Sequence, residues 1–164
     1  MCSSDLEILS NNTIRFHQPE VLFETNKSDL RQRFKDILDD FFPRYVELLS
    51  RPEFINDIIE LRIEGHTSSR WRPGTADEIS YLNNAQLSQS RAFSVLKYVF
   101  LLPNMPIDDN RDWLISVLRA NGLSYSKRIT TMDGVEDRER SRRVEFRIVT
   151  NTEQKIKEIL DRSM

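Results

Sequence analysis

A change of period inside residues 64–95 constrains this chain most. The stretch reads EGHTSS, then RWRPGTADEISYL, then NNAQLSQSRAFSV. Just before it, Leu61 and Ile63 alternate with Arg62 and Glu64 as far as Gly65, the two-residue period of a strand with one buried and one wetter face. Beyond the Pro73-Gly74 breaker the period turns helical, and Asn84, Ser88 and Arg91, spaced by four and three residues, share one edge of that helix. A guanidinium fixed on a helix beside a polar turn is suited to gripping a carboxylate in bidentate fashion.

The flanking sequence supplies a sheet and its cover. Residues 1–12 are polar and are expected to form a flexible N-terminal segment. Ile14 and Phe16 alternate with Arg15 and His17, and Val21 and Phe23 with Leu22 and Glu24, around Pro19, which predicts one or two strands broken at the proline. From Ser28, an expected N-cap with Asp29 at the positive helix end, Leu30, Phe34, Ile37, Leu38, Phe41, Tyr45 and Leu48 recur at helical spacing. Pro43 interrupts that face and predicts a kink or two successive helices. A helix over about 84–102 carries Ala92, Val95, Leu96 and Val99 inward and ends at Pro103 and Pro106. An extra helix is expected over 108–121, with Trp113, Leu114, Val117 and Leu118 on one face and Gly122 as its stop. A short strand over 125–129 and a charged turn over 130–142 follow. Val144, Phe146 and Ile148 then alternate with Arg143, Glu145 and Arg147, a strand with its charges outside. The organisation is thus one domain over 13–150, with an inserted loop at 68–82, and a tail or short helix at 151–164.

Composition excludes more than it assigns. A net charge of −2 gives no reason to expect nucleic acid, and no run reaches the roughly 18 apolar residues of a membrane span. The single cysteine, Cys2, rules out an internal disulfide and a multi-cysteine metal site. His66 and His17 lie at no metal-ligand spacing, so His66 reads as a hydrogen-bonded turn residue, and neither metal nor cofactor is expected. No Gly-x-Ser-x-Gly or phosphate loop occurs and no carboxylate pair stands out, so an enzyme is not expected.

Three separated motifs in order carry a family resemblance. Gly65-His66-Thr67, then Asn84-x-x-Leu87-Ser88-x-x-Arg91-Ala92-x-x-Val95, then Arg142-Arg143-Val144-Glu145 resemble the OmpA C-terminal-like family of peptidoglycan-binding domains over residues 21–149. The long loop and added helix are most similar to its stator-type, MotB-like and Zorya-like members. The resemblance implies an α+β two-layer sandwich, a mixed sheet of about four strands with helices on one face. It implies noncatalytic binding of a diaminopimelate-type stem peptide of peptidoglycan, with Arg91 on the carboxylate and Thr67, Ser68, Asn84, Ser88 and Arg143 completing the site. It further implies a periplasmic domain anchored to the inner or outer membrane through a segment outside this chain, with a homodimer and an inner-membrane ion-channel subunit as partners.

At one decisive position the sequence departs from the family. The aspartate that holds the ligand's ammonium is replaced by Ser68. Three outcomes stay open: a carboxylate from the inserted loop, Asp77 or Glu78, compensates; the ligand differs; or binding is lost. In the last case the domain is a protein-interaction or dimerisation module.

Overall fold

The computed structural model describes residues 6–17 and 19–152. A five-stranded mixed sheet in the order β1-β2-β5-β3-β4 is covered on one face by two long helices. The expected α+β sandwich is present, with one strand more than predicted.

That strand lies in the segment expected to be flexible. Strands β1 (Leu6–Leu9) and β2 (Thr13–Phe16) form an antiparallel hairpin. Its turn closes on Asn12 at φ 59°, a left-handed conformation that asparagine tolerates. The strand expected near Val21 is instead a short helix, α1 (Pro19–Leu22). Proline is favoured at a first helical position, and β2 already occupies the edge of β5 that a strand here would need.

Helix α2 (Gln32–Leu49) runs through Pro43 without a break. Its apolar face continues on both sides of the proline, from Phe34, Ile37, Leu38 and Phe41 to Phe42, Tyr45, Val46 and Leu49, all buried. Packing of that face outweighs the roughly 3 kcal/mol an internal proline costs. Phe16, Phe41 and Phe146 meet edge to face, with centroids 5.1–5.5 Å apart, and tie α2 to the sheet. Leu48, predicted as core, is 44% exposed. Ser28 is not the cap: the helix starts after Arg31 in extended conformation. Residues 24–30 instead form a turn, closed by the Lys27 N–H on the Glu24 carbonyl and by a Phe23–Leu30 bridge.

A 3-10 turn at Ile55–Asp57 leads into β3 (Ile58–His66). Helix α3 (Asp77–Phe100) begins well before Asn84, so the loop is confined to 67–76 and Asp77 and Glu78 lie in the first helical turn. The single helix predicted over 108–121 is α4 (Met105–Asp109), α5 (Arg111–Val117) and then β4 (Leu118–Gly122), which pairs in parallel with β3. Leu118 and Ala120 face the core while Arg119 is exposed, so a two-residue period is hidden inside a helical-looking run. Gly122 is thus a strand residue, and no strand forms over 125–129. A short helix α6 (Arg138–Ser141) then enters β5 (Arg143–Thr150), antiparallel to both β2 and β3. Among the described residues no helix is long and apolar enough to cross a membrane, and nearly all of the tail expected over 151–164 lies outside them.

Where β3 and β4 end, the sheet touches α3 backbone to backbone. Gly65 and Gly122 are register partners. A Cβ on Gly65 would lie 2.3 Å from the Ser88 carbonyl oxygen, and one on Gly122 would lie 2.3 Å from the Gln89 nitrogen. Only glycine at these two positions lets the helix sit this close.

Candidate functional site

The contact between β3 and α3 sets the depth of a cavity of about 680 Å³. One wall is the turn that leaves β3, where Thr67 and Ser68 are both buried. The Thr67 N–H is held by the Ser124 carbonyl at 2.9 Å, but its hydroxyl has no hydrogen-bond partner among the described residues. The loop contributes Arg70, Trp71, Arg72 and Pro73; α3 contributes Asn84, Leu87 and Arg91. Thr25 and Asn26 of the turn before α2, and Arg142, close the rim. Asn26, Trp71 and Leu87 also line a neighbouring recess of about 440 Å³ with Lys27, Asp29, Asn83, Gln86 and Ser90, so the two recesses adjoin across these three residues.

Arg91 is held from inside the protein and still borders the cavity. Its Nε donates to the Lys27 carbonyl at 2.9 Å, and Nη2 donates to the Glu24 carbonyl at 3.2 Å. Its guanidinium lies 4.9 Å from the Phe23 ring centroid. Nη1 has no protein partner and no carboxylate pairs with the group among the described residues. Burial, and then the charge of Arg142, pull its pKa down to about 10, so it remains a cation at neutral pH. A partly buried cation without a counter-ion is costly unless a ligand supplies one.

The remaining predicted site residues divide. Thr67, Ser68 and Asn84 line the cavity with Arg91. Ser88 does not: fully buried, it donates to the Ala85 carbonyl and accepts from the Ser124 N–H at 3.0 Å, joining α3 to the segment after β4. Arg143 does not either, because it lies at the start of β5 with its side chain on the opposite side of the sheet; its neighbour Arg142 reaches the cavity instead. Asp77 and Glu78 are exposed, about 20 Å along the axis of α3 from Arg91 at 1.5 Å per residue, and neither lines the cavity. The acidic side chain that reaches the Thr67-Ser68-Ser69 turn is Glu136, which accepts from the Ser69 N–H at 2.8 Å and from the Ser69 hydroxyl at 2.5 Å. No signal in the sequence joins residues that far apart.

The sheet face away from α2 and α3 carries a second group of charges, which had been expected to be solvated. Across β1, β2, β5 and β3, Glu7 meets Arg15, Arg15 and Arg143 both donate to Glu145 Oε1 at 2.9 and 2.6 Å, and His66 lies 3.5–3.6 Å from Glu64 and Glu145. Glu64, His66, Arg143 and Glu145 are all buried. Burial lowers the His66 pKa, against the raising effect of Glu64. Burial alone would raise that of Glu145, but the Arg143 guanidinium holds it below the usual range. Donor atoms of Glu64, His66 and Glu145 fall within 4.8 Å of one another, a grouping that could hold a metal ion and that the sequence spacing concealed. Two guanidiniums already neutralise Glu145, so a divalent cation there would sit against Arg143. The cluster is better accounted for as a cross-strand ionic ladder that ties four strands together.

Comparison with known proteins places this geometry. No family model matches the chain. Over 147 residues it is 44% identical to the Zorya protein ZorB of Escherichia coli, a match that covers 90% of this chain and 61% of ZorB. The chain therefore spans about three fifths of the length of that curated relative. Among solved structures, the periplasmic domain of Helicobacter pylori MotB superposes with a TM-score of 0.57 at 21% identity, over 97% of this chain and 90% of that one. The cell wall anchor of the T6SS from Pseudomonas aeruginosa superposes at 0.56 with 20% identity, over 90% of each chain. The peptidoglycan-associated lipoprotein from Burkholderia pseudomallei gives 0.50 with 16% identity, over 90% of this chain and 98% of that one. At these identities the structures establish a shared fold.

Proposed function

We propose that the chain, which is 44% identical to ZorB over 90% of its own length and shares the fold of the MotB periplasmic domain, belongs to the OmpA/MotB-like, stator-type family and is a noncatalytic domain that fastens a membrane-bound assembly to peptidoglycan. The observation that carries this reading is Arg91: a partly buried guanidinium that, among the described residues, has no carboxylate partner and no partner for Nη1, at the edge of a cavity large enough for a peptide end. Thr67, Ser68 and Asn84 supply neutral hydrogen-bonding groups beside it, and Trp71 offers an aromatic surface shared with the adjoining recess. The wall ligand is a stem peptide with an exposed carboxylate. On this reading the domain works in the periplasm, and its partners are a second copy of the chain and an ion-conducting membrane subunit, as in a stator.

Sedimentation with purified sacculi tests the proposal. The native chain pellets with the wall material, whereas Arg91→Ala stays in the supernatant while keeping its far-UV spectrum and a cooperative melt. A folded Arg91→Ala protein that pellets as well as the native one refutes the assignment.

One observation favours a second reading. Two of the five donors of Arg91 are already spent on the 24–27 turn, as befits a structural clamp in a domain that has kept the fold and lost the ligand. On that reading the native chain does not pellet, and Arg91→Ala lowers only the melting temperature.

A further inference from the structure

The cavity has an unusual charge balance. Four arginines line it, Arg70, Arg72, Arg91 and Arg142, and among the described residues no aspartate or glutamate does. Each acidic group nearby is engaged or displaced. Both oxygens of Glu136 accept from Ser69, and Glu24 is ion-paired with Lys27. Asp29 belongs to the neighbouring recess, and Asp77 and Glu78 lie about four turns away along α3. Arg142 spends its Nε on the Arg138 carbonyl and has no carboxylate partner among the described residues. A zwitterionic ligand end would therefore place its carboxylate well and its ammonium badly, since the ammonium would meet like charges and only neutral acceptors.

Taking the wall-binding reading as its premise, we propose that this cavity selects a carboxylate whose neighbouring amine has been acylated, as in a cross-linked stem peptide, over the free zwitterionic end. Acylation turns an ammonium into an amide. The amide keeps one N–H, loses the charge, and adds a carbonyl acceptor. The acceptors present suit that group: the buried Thr67 hydroxyl, which has no partner among the described residues, and the Ser68 hydroxyl beside it. The added carbonyl faces a wall rich in guanidinium donors, and the acyl chain beyond it can lie against Trp71 and Leu87, which also line the adjoining recess. The domain would then attach preferentially to finished, cross-linked wall.

Calorimetric titration of the full chain with two synthetic probes decides this. One is L-alanyl-γ-D-glutamyl-meso-diaminopimelate with its side-chain amine free; the other is the same tripeptide acetylated on that amine. The acetylated probe binds the native chain at least ten-fold more tightly, and Ser68→Asp reverses the order by restoring an anion for the free ammonium. Equal binding of the two probes, tighter binding of the free amine, or binding of neither overturns the inference. Sedimentation with sacculi separates this failure from that of the premise. A chain that pellets through Arg91 yet prefers the free amine refutes only the selectivity, whereas a chain that never pellets refutes wall binding itself.

Discussion

Replacing Gly65 with alanine tests the packing that sets the depth of the cavity. The new methyl carbon would lie 2.3 Å from the Ser88 carbonyl oxygen, 3.0 Å from its carbon and 3.3 Å from its Cα. A relaxed carbon–oxygen contact is about 3.3 Å or more, so α3 must retreat from β3 by about 1 Å. Both surfaces are backbone, and no side chain can rotate out of the way. Overpacking of this kind costs about 1–3 kcal/mol. The retreat also strains three bonds that hold α3 to the end of β4: Ser124 N–H to Ser88 Oγ at 3.0 Å, Gly122 N–H to Gln89 Oε1 at 2.8 Å, and Gln89 Nε2 to the Ala120 carbonyl at 3.1 Å. At about 1 kcal/mol for each bond lost, the total reaches roughly 4–6 kcal/mol. For a domain of this size that lowers the melting temperature by roughly 10–20 °C. Arg91 follows Ser88 by three residues on the same helix, so binding to sacculi weakens as well. Gly74→Ala is the control: its Cβ meets nothing within 4 Å, and φ of +81° alone sets its cost, about 1–2 kcal/mol. Thermal unfolding followed by circular dichroism gives the comparison. A Gly65→Ala protein that melts within a degree of the native one, or above Gly74→Ala, refutes the proposed contact.

The ionic ladder on the other face of the sheet gives two further expectations. The folded state holds the pKa of His66 below its ordinary value, so below about pH 6.5 the unfolded chain takes up a proton that the folded chain resists. Stability is therefore intact above that pH and falls on acidification from about 6.5 towards the lowered value, by at most about 1.4 kcal/mol per pH unit from this group. Urea unfolding between pH 7.5 and 5.5 should show the slope, and His66→Gln should flatten it; an unchanged slope in that variant assigns the effect elsewhere. Removing one partner of a buried pair costs about 3–5 kcal/mol, and Glu145 keeps Arg15 as a second donor, so Arg143→Ala should destabilise by about 3 kcal/mol. Residual folded Arg143→Ala should still pellet with sacculi, and loss of pelleting at full stability would instead put Arg143 in the site.

The features legible in the sequence were those that keep one period throughout. Leu61 and Ile63 against Arg62 and Glu64, and Val144, Phe146 and Ile148 against their charged neighbours, announced β3 and β5. The family motifs brought Thr67, Ser68, Asn84 and Arg91 to one place. Strand β4 was hidden because Leu114, Val117 and Leu118 continue a helical spacing, and only the open edge of β3 makes Leu118–Gly122 extended. Arg142 and Arg143 exchanged places because adjacent residues entering a strand point to opposite sides, and sequence alone does not say which side holds the cavity. Asp77 and Glu78 looked like loop carboxylates; in the first turn of α3 they answer the positive end of the helix dipole. Glu136 gave no sign, because its tie to Ser69 exists only once the chain has folded.

The two internal supports of Arg91 are main-chain carbonyls, those of residues 24 and 27. Every amino acid presents that oxygen, so side-chain exchange at these positions leaves the fork in place as long as the bend keeps its shape. Natural variation at 24 and 27 is therefore free to retune the rim while the grip itself is inherited unchanged. The vulnerable position is Asn26, whose φ of 59° shapes the bend. A β-branched residue there would loosen the fork without touching it.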